Sequence, residues 1–189
     1  MQPHVLCLKI RAMTIRSFDN ISPRMAAGVY VDDTALVVGD VTLGEDVSLW
    51  PMVVARGDVN TIEIGPRTNI QDGTILHVSH DSEFAPGGFP LRVGADITVG
   101  HQAILHGCTI EDRCLVGMAA TVMDGAIVRT GAMIGAGSLV SPGQEIEGGY
   151  VWVGTPARRA RPLRAAEQAF LDYSARHYVK LKNCHLAGR

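Results

Sequence analysis

Three histidines, His77, His101 and His106, are the residues of this chain best suited to chemistry. A neutral imidazole is a common ligand for borderline metals, and three of them around one ion leave a coordination position for water. Such a site keeps the full charge of the ion and lowers the pKa of its water towards about 7. The competing reading is bland. An outward histidine on a β surface is most often solvated, and one at a subunit contact can act by hydrogen bonding alone. His4, His80, His177 and His185 take the surface reading. For the other three, the elements that carry them decide whether they can meet.

Those elements repeat every six residues. Val29, Ala35, Val41, Val47, Val53 and Val59 form one apolar column, and Val31, Val37, Leu43, Leu49 and Ala55 form a second. Later, Ile110, Val116, Val122, Val128, Ile134, Val140 and Ile146 recur at the same spacing, with Cys114, Ala120, Ala126, Ala132 and Ser138 two residues before. Glycine follows the bulky aliphatic in Leu43-Gly44, Ile64-Gly65, Val93-Gly94, Val99-Gly100, Val116-Gly117, Ile134-Gly135 and Val153-Gly154. A helix with about 3.6 residues per turn would smear a strict six-residue column around its cylinder. Short strands meeting at corners fit, with three hexads to a triangular coil and coils stacked in parallel at roughly 4.8 Å. The aliphatics then fill the prism, which accounts for 47% hydrophobic residues with only 5% aromatics.

Two interruptions break the period. The spacing from Leu43 to Ile64 predicts a small bulge near Val59-Asn60-Thr61, and that from Leu76 to Leu105 a loop near His80–Pro90. The register also slips by one after Leu105. Residues 1–27 read as an extension and lead-in, 28–162 as the β-helix, and 163–189 as a C-terminal helix and tail. Leu163, Ala166, Phe170, Tyr173, His177 and Leu181 are expected on the helix's inner face, lying along the prism or onto a neighbour. Met13 opens the stretch MTIRSF, which leaves residues 1–12 either as an extension or as the product of an early start.

With the insertions subtracted, Arg56, His77 and His106 occupy one position of successive coils. Each follows an inward aliphatic (Ala55, Leu76, Leu105), so strand alternation turns all three outward on one face. His101 follows Val99-Gly100 at a different edge, near Asp72 of the preceding coil. It reaches a metal on His77 and His106 only from a second copy of the prism, and threefold symmetry would make three shared sites.

Composition narrows the partners. The net charge of -2 carries no block of like charges, which argues against nucleic acid. No apolar run is long enough to span a membrane, and no secretory signal is evident. Four cysteines at no metal-finger spacing fit reduced thiols in a cytoplasmic protein.

Four segments together carry a resemblance: Arg56-Gly57-Asp58, the N-I-Q-D-G run at 69–73, Leu76-His77, and the G-H-x4-H-G run at 100–107. In this order, over most of the chain from Met13, they resemble the γ-class carbonic anhydrases and their close bacterial relatives. The resemblance implies an all-β, left-handed parallel β-helix with a C-terminal helix, assembled as a homotrimer with zinc (or iron or cobalt) between subunits. It further implies that His77 and His106 ligate from one subunit and His101 from its neighbour, the substrate being CO2 or bicarbonate. Gln71 matches a residue that hydrogen-bonds the reacting water or bicarbonate. Arg56 and Asp58 match a pair linked across the interface, with a purely structural salt bridge as the alternative. Asp72 is expected to accept an N–H from a ligating histidine or to pair with Arg56. Asn69 reads either as support for the site or as a coil-corner residue.

One departure bears on rate. The best-characterised branch of that family has a glutamate after its R-x-D and another in a longer acidic loop. Here the first position is Val59, and the 80–90 loop offers only Asp81 and Glu83, with Glu83 or His80 as substitute proton carriers. The expectation is a preserved metal site with slow or absent CO2 hydration. Competing functions are a metal-dependent thioesterase or hydrolase on the same site, a hexapeptide acyltransferase using one histidine as base, and a non-enzymatic metal-binding scaffold.

Overall fold

The computed structural model describes residues 14–188; the 1–12 extension, His4 and Cys7 lie outside the described residues. Strands of mostly two to four residues alternate with tight corners and stack in parallel, for about eight turns. One column runs through Ile75–His77, Ile104–His106, Thr121–Val122 and Leu139–Val140. A second runs through Leu91–Val93, Thr109–Ile110, Ile127–Val128 and Glu145–Ile146. The third runs from Tyr30–Val31 to Tyr150–Val153. Near the start, the longer strands Leu36–Leu43 and Val54–Ile64 each serve the first two columns.

The six-residue columns are the core. Val37, Ala55, Leu76, Leu105, Val122 and Val140 stand one above another in register, all fully buried. At roughly 25 cal/mol per Å² of apolar surface removed from water, such aliphatics supply most of the driving force. Through Gly135 the glycine after the bulky aliphatic serves close approach rather than unusual torsions, since a Cβ on Gly65 would lie 2.6 Å from the backbone of Gly94; Gly154, where the stack turns back, instead takes φ 100°. Left-handed corner torsions fall in several places on other residues, among them Met52 (φ 61°) and Arg67 (φ 58°).

Both interruptions lie where the period breaks. Between Gly39↔Gly57 and Val41↔Ile62 the longer strand carries extra residues, and this bulge holds Asp58, Val59 and Asn60. Val59 is therefore not a core residue as its six-residue spacing implied. It is 45% exposed, and Ile62 takes the inward place. The loop leaves and returns at Ser79 and Phe89, which exchange two backbone hydrogen bonds of 3.0 Å.

The solenoid does not stay parallel to its end. Tyr150–Val153 pairs antiparallel with Arg158–Pro162, a hairpin that covers the terminal strand edge of the third column. The helix Ala165–Leu186 then folds back over the third column, against Ser48–Leu49, Asn69–Ile70 and Thr98–Val99. Glu167 accepts from the Arg164 N–H at its start, at 2.9 Å, and is gripped by Arg161 through two 2.7 Å bonds.

The face predicted for this helix is corrected. Leu163 is buried, but Ala166, Phe170, Tyr173 and His177 face solvent; the inner face is Leu171, Ser174, Ala175 and Lys182. Two of those four are polar, which hides the face from a hydrophobic pattern. Each is satisfied: Ser174 meets the Thr98 hydroxyl at 2.8 Å, and the Lys182 ammonium meets Asp46 and Asn183, each at 2.7 Å.

Cys108 and Cys114 are buried free thiols and Cys184 an exposed one; burial pushes the Cys114 thiol up to about 12. Among the described residues no helix is long and apolar enough to cross a membrane.

Candidate metal centre

His77 and His106 are paired across neighbouring rungs, as the strand register requires once Leu76 and Leu105 point inward. His77 Nδ1 and His106 Nε2 face each other at 3.1 Å. Each ring is held from its far side by a carboxylate. Asp58 Oδ1 lies 3.2 Å from His77 Nε2, and Asp124 Oδ1 lies 2.5 Å from His106 Nδ1. An ionised carboxylate only accepts hydrogen bonds, so each claims the one proton of its neutral ring. The two nitrogens that face each other, within hydrogen-bonding distance here, are then the pair that could turn lone pairs to a shared ion.

Asp58 and His77 hold the charge states this needs. Burial disfavours the Asp58 anion, yet hydrogen bonds from Arg56 and His77, with the Arg56 charge, outweigh it and keep the carboxyl below its usual range. Burial likewise disfavours the His77 cation. With the positive field of Arg56 it overcomes the pull of Asp58, so His77 titrates lower than an ordinary histidine and stays neutral.

Arg56 reaches Asp58 within the same chain, Nη1 to Oδ2 at 2.7 Å. Being two residues apart on one strand, they share a face.

His101 stands apart, as its register implies. It follows the third column's Thr98–Val99, whereas His77 and His106 belong to the first. Its Nδ1 meets Asp72 Oδ2 at 2.8 Å, and the side chain is 45% exposed. Of the two partners open to Asp72, the histidine is the one it takes. Among the described residues no three His, Cys, Asp or Glu side chains of the single chain are placed to share an ion.

Gln71 and Asn69 belong to the His101 side. Gln71 is nearly buried and donates to Asn69 Oδ1 at 3.2 Å, while Asn69 donates to the Ile97 carbonyl and Thr98 Oγ1. Asn69 thus lies in a strand, not at a coil corner; the corner torsion falls on Arg67. Glu83 occupies the exposed tip of the loop, within the turn closed by Ser82 and Ala85, and no hydrogen bond ties it to the histidines among the described residues.

Asp124 was missed by the sequence reading, together with Ser79, whose hydroxyl donates to Asp124 Oδ2 at 2.8 Å. The signal was available: Asp124 lies 18 residues after His106, one full coil on.

The donor set fits a zinc-class ion. Two nitrogens bound to one tetrahedral zinc at about 2.0–2.1 Å sit roughly 3.3–3.4 Å apart, close to the 3.1 Å found here. A carboxylate on the remote nitrogen is the usual support of a ligating imidazole, and all three histidines have one.

Comparison with known proteins places this site in context. No family model matches the chain. It is 51% identical over 172 residues to Protein YrdA of Escherichia coli strain K12, covering 91% of this chain and 94% of that protein. Over 159 residues it is 39% identical to a carbonic anhydrase of Geobacillus kaustophilus, covering 84% of each. It is also 42% identical over 175 residues to the mitochondrial gamma carbonic anhydrase 2 of Arabidopsis thaliana, covering 93% of this chain but 63% of the plant protein. Among solved structures, a hexapeptide transferase family protein from Anaplasma phagocytophilum superposes with a TM-score of 0.82 at 35% identity, covering 90% and 96% of the two chains. The winding is the left-handed β-helix of hexapeptide-repeat proteins. By sequence and by fold, the chain belongs to the γ-class carbonic anhydrase-like family.

Proposed function

We propose that this chain forms a homotrimer with three interfacial metal sites, each built from His77 and His106 of one subunit and His101 of the next, and that it hydrates CO2 reversibly and slowly. The observation that carries the reading is the repeated device of an imidazole tethered by a carboxylate at one nitrogen and free at the other. His77 and His106 aim their free nitrogens at a common point; His101 offers its own at another edge, as a ligand for a neighbour does. Ile75 and Ile104 support assembly, since they lie two residues before His77 and His106 on the same face and are 38% and 40% exposed.

A zinc-class ion in such a site supplies a Lewis acid and a water acidic enough to attack CO2 near neutral pH. The chain's residues do the rest. Asp58, Asp72 and Asp124 fix the tautomers of the ligands. Arg56 keeps Asp58 ionised and places a positive charge beside the site, where bicarbonate is drawn and held. Gln71, nearly buried beside the His101 edge, orients the reacting oxygen. Proton export is the weak link. The bulge carries Val59, which cannot accept a proton, and Glu83 is held at the loop tip.

The test is metal content and stopped-flow CO2 hydration on one preparation purified without chelators. About one zinc-class ion per chain is expected, with a rate that rises with buffer concentration. A metal-free native trimer overturns the reading. Metal without CO2 hydration moves the activity to another hydrolysis on the same centre. Remixing His77→Ala with His101→Ala subunits should regenerate metal-binding sites; no recovery defeats cross-subunit ligation.

A further inference from the structure

Asp124 and Ser79 lie outside every motif that identifies the site, yet they connect one of its imidazoles to the 79–89 loop. Asp124 accepts from His106 Nδ1 with one oxygen and from the Ser79 hydroxyl with the other. Ser79 is the first residue of the loop's base, where it exchanges backbone hydrogen bonds with Phe89. Gly107, directly after His106, gives this arrangement its room. With φ at 52°, it turns the chain sharply, and a Cβ there would run into both the Asp124 carboxylate and the Phe89 side chain. Phe89 also packs against Gly125, and Gly107 donates its N–H to the His77 carbonyl at 3.0 Å. Loop base, Asp124 and both histidine strands therefore form one interlocked unit.

We infer that Asp124 is the positioning residue of His106, clamped by Ser79, so that seating of the 79–89 loop fixes the imidazole with Nε2 bare and pointed at His77. This rests on the metal reading above and adds to it a function for the loop. The loop base sets the metal's grip, independently of any proton transfer by Glu83. The chemistry needs a carboxylate specifically. An amide at position 124 can turn its NH2 towards Nδ1, which moves the imidazole proton to Nε2 and blocks the nitrogen the ion needs.

Full-length protein, stripped of metal and reloaded with cobalt(II) or zinc, gives two separable readouts. In the metal-free state, nitrogen NMR of labelled histidine should show His106 with its proton on Nδ1, and Asp124→Asn should shift it to Nε2. On reloading, Asp124→Asn should weaken metal affinity by about 10–100-fold and alter the cobalt visible spectrum, with the thermal midpoint of the metal-free protein little changed. Ser79→Ala keeps the carboxylate and should produce a smaller loss of affinity in the same direction, which covers the case of an Asp124 variant that does not fold. A wild-type His106 protonated on Nε2, or affinity within about threefold of wild type in both variants, overturns the inference. If wild-type protein takes up no metal, the metal reading fails, while the tautomer measurement still decides whether Asp124 sets His106.

Discussion

Val59 and His77 set the two halves of the problem at the level of single residues. His77 is kept neutral by burial and by the charge of Arg56, so its Nδ1 lone pair is available at neutral pH and somewhat below. Val59 stands 45% exposed in the bulge beside Asp58, where a carboxylate would be solvated and close to the ligands. Replacing it with glutamate should raise the CO2 hydration rate by about tenfold or more, within the range of a well-placed general acid–base group, and should reduce the dependence on added buffer. Stopped-flow measurement at low and high buffer checks both; a wild-type rate already independent of buffer would mean that proton export is not limiting. The histidine positions were readable from the sequence because the six-residue period assigns a face to every residue. Their supporting carboxylates were read only where a motif named them: Asp58 and Asp72 were found, and Asp124 was passed over.

The C-terminal helix shows how an element escapes pattern reading. Its inner face includes Ser174 and Lys182, whose polar atoms are satisfied by Thr98 and Asp46, while Phe170 and Tyr173 remain outside. Lys182 makes the energetic point. Asp46→Ala leaves its ammonium buried with only Asn183 as a partner and should destabilise the protein by about 3–5 kcal/mol, whereas Lys182→Met should cost much less, because Asp46 can then turn to water. Paired denaturant titrations distinguish the two, and equal losses would mean that the contact is packing alone. The helix start has a pH signature. Hydrogen bonds from Arg161 and the Arg164 N–H hold the Glu167 carboxyl down at about 2, below its ordinary value of 4.5. Its contribution is therefore complete above about pH 4.5 and is lost as pH falls towards 2. In Glu167→Gln, the part of the acid-induced stability loss that falls in that window should shrink, which thermal midpoints measured across pH would show.

At the scale of the whole molecule, the solenoid and its columns were legible because each hexad repeats one physical demand, an aliphatic inward, with a close-packed glycine behind it at several corners. The antiparallel end hairpin was not, since Tyr150–Val153 still follows the period and pairs in parallel below, while Arg158–Pro162 has none and turns back to finish the edge. Assembly has its own test. Ile104→Glu places a charge on the exposed stripe beside His106 and should yield a folded monomer without bound metal, read by sedimentation and metal analysis; an intact trimer would place the interface on another face. The ladder also carries a history of how it forms. Past the loop, neighbouring rungs are joined by 17 or 18 residues, as at Thr98↔Leu115 and Leu115↔Met133, but every rung that spans the loop, His77↔His106, Asn69↔Thr98 and Ile62↔Leu91 alike, is separated by 29. Closing that longer span costs about 0.4 kcal/mol more chain entropy, roughly a twofold slowing of that step. A stack that zips from neighbour to neighbour should therefore join late at this seam, with the Gly107 amide, which donates to the His77 carbonyl, gaining protection from hydrogen exchange after the Ile104 amide, which donates to the Ala120 carbonyl. On that order of closure, the rung that pairs His77 with His106 is where two halves of the prism meet, so the two imidazoles come together only when folding is nearly complete.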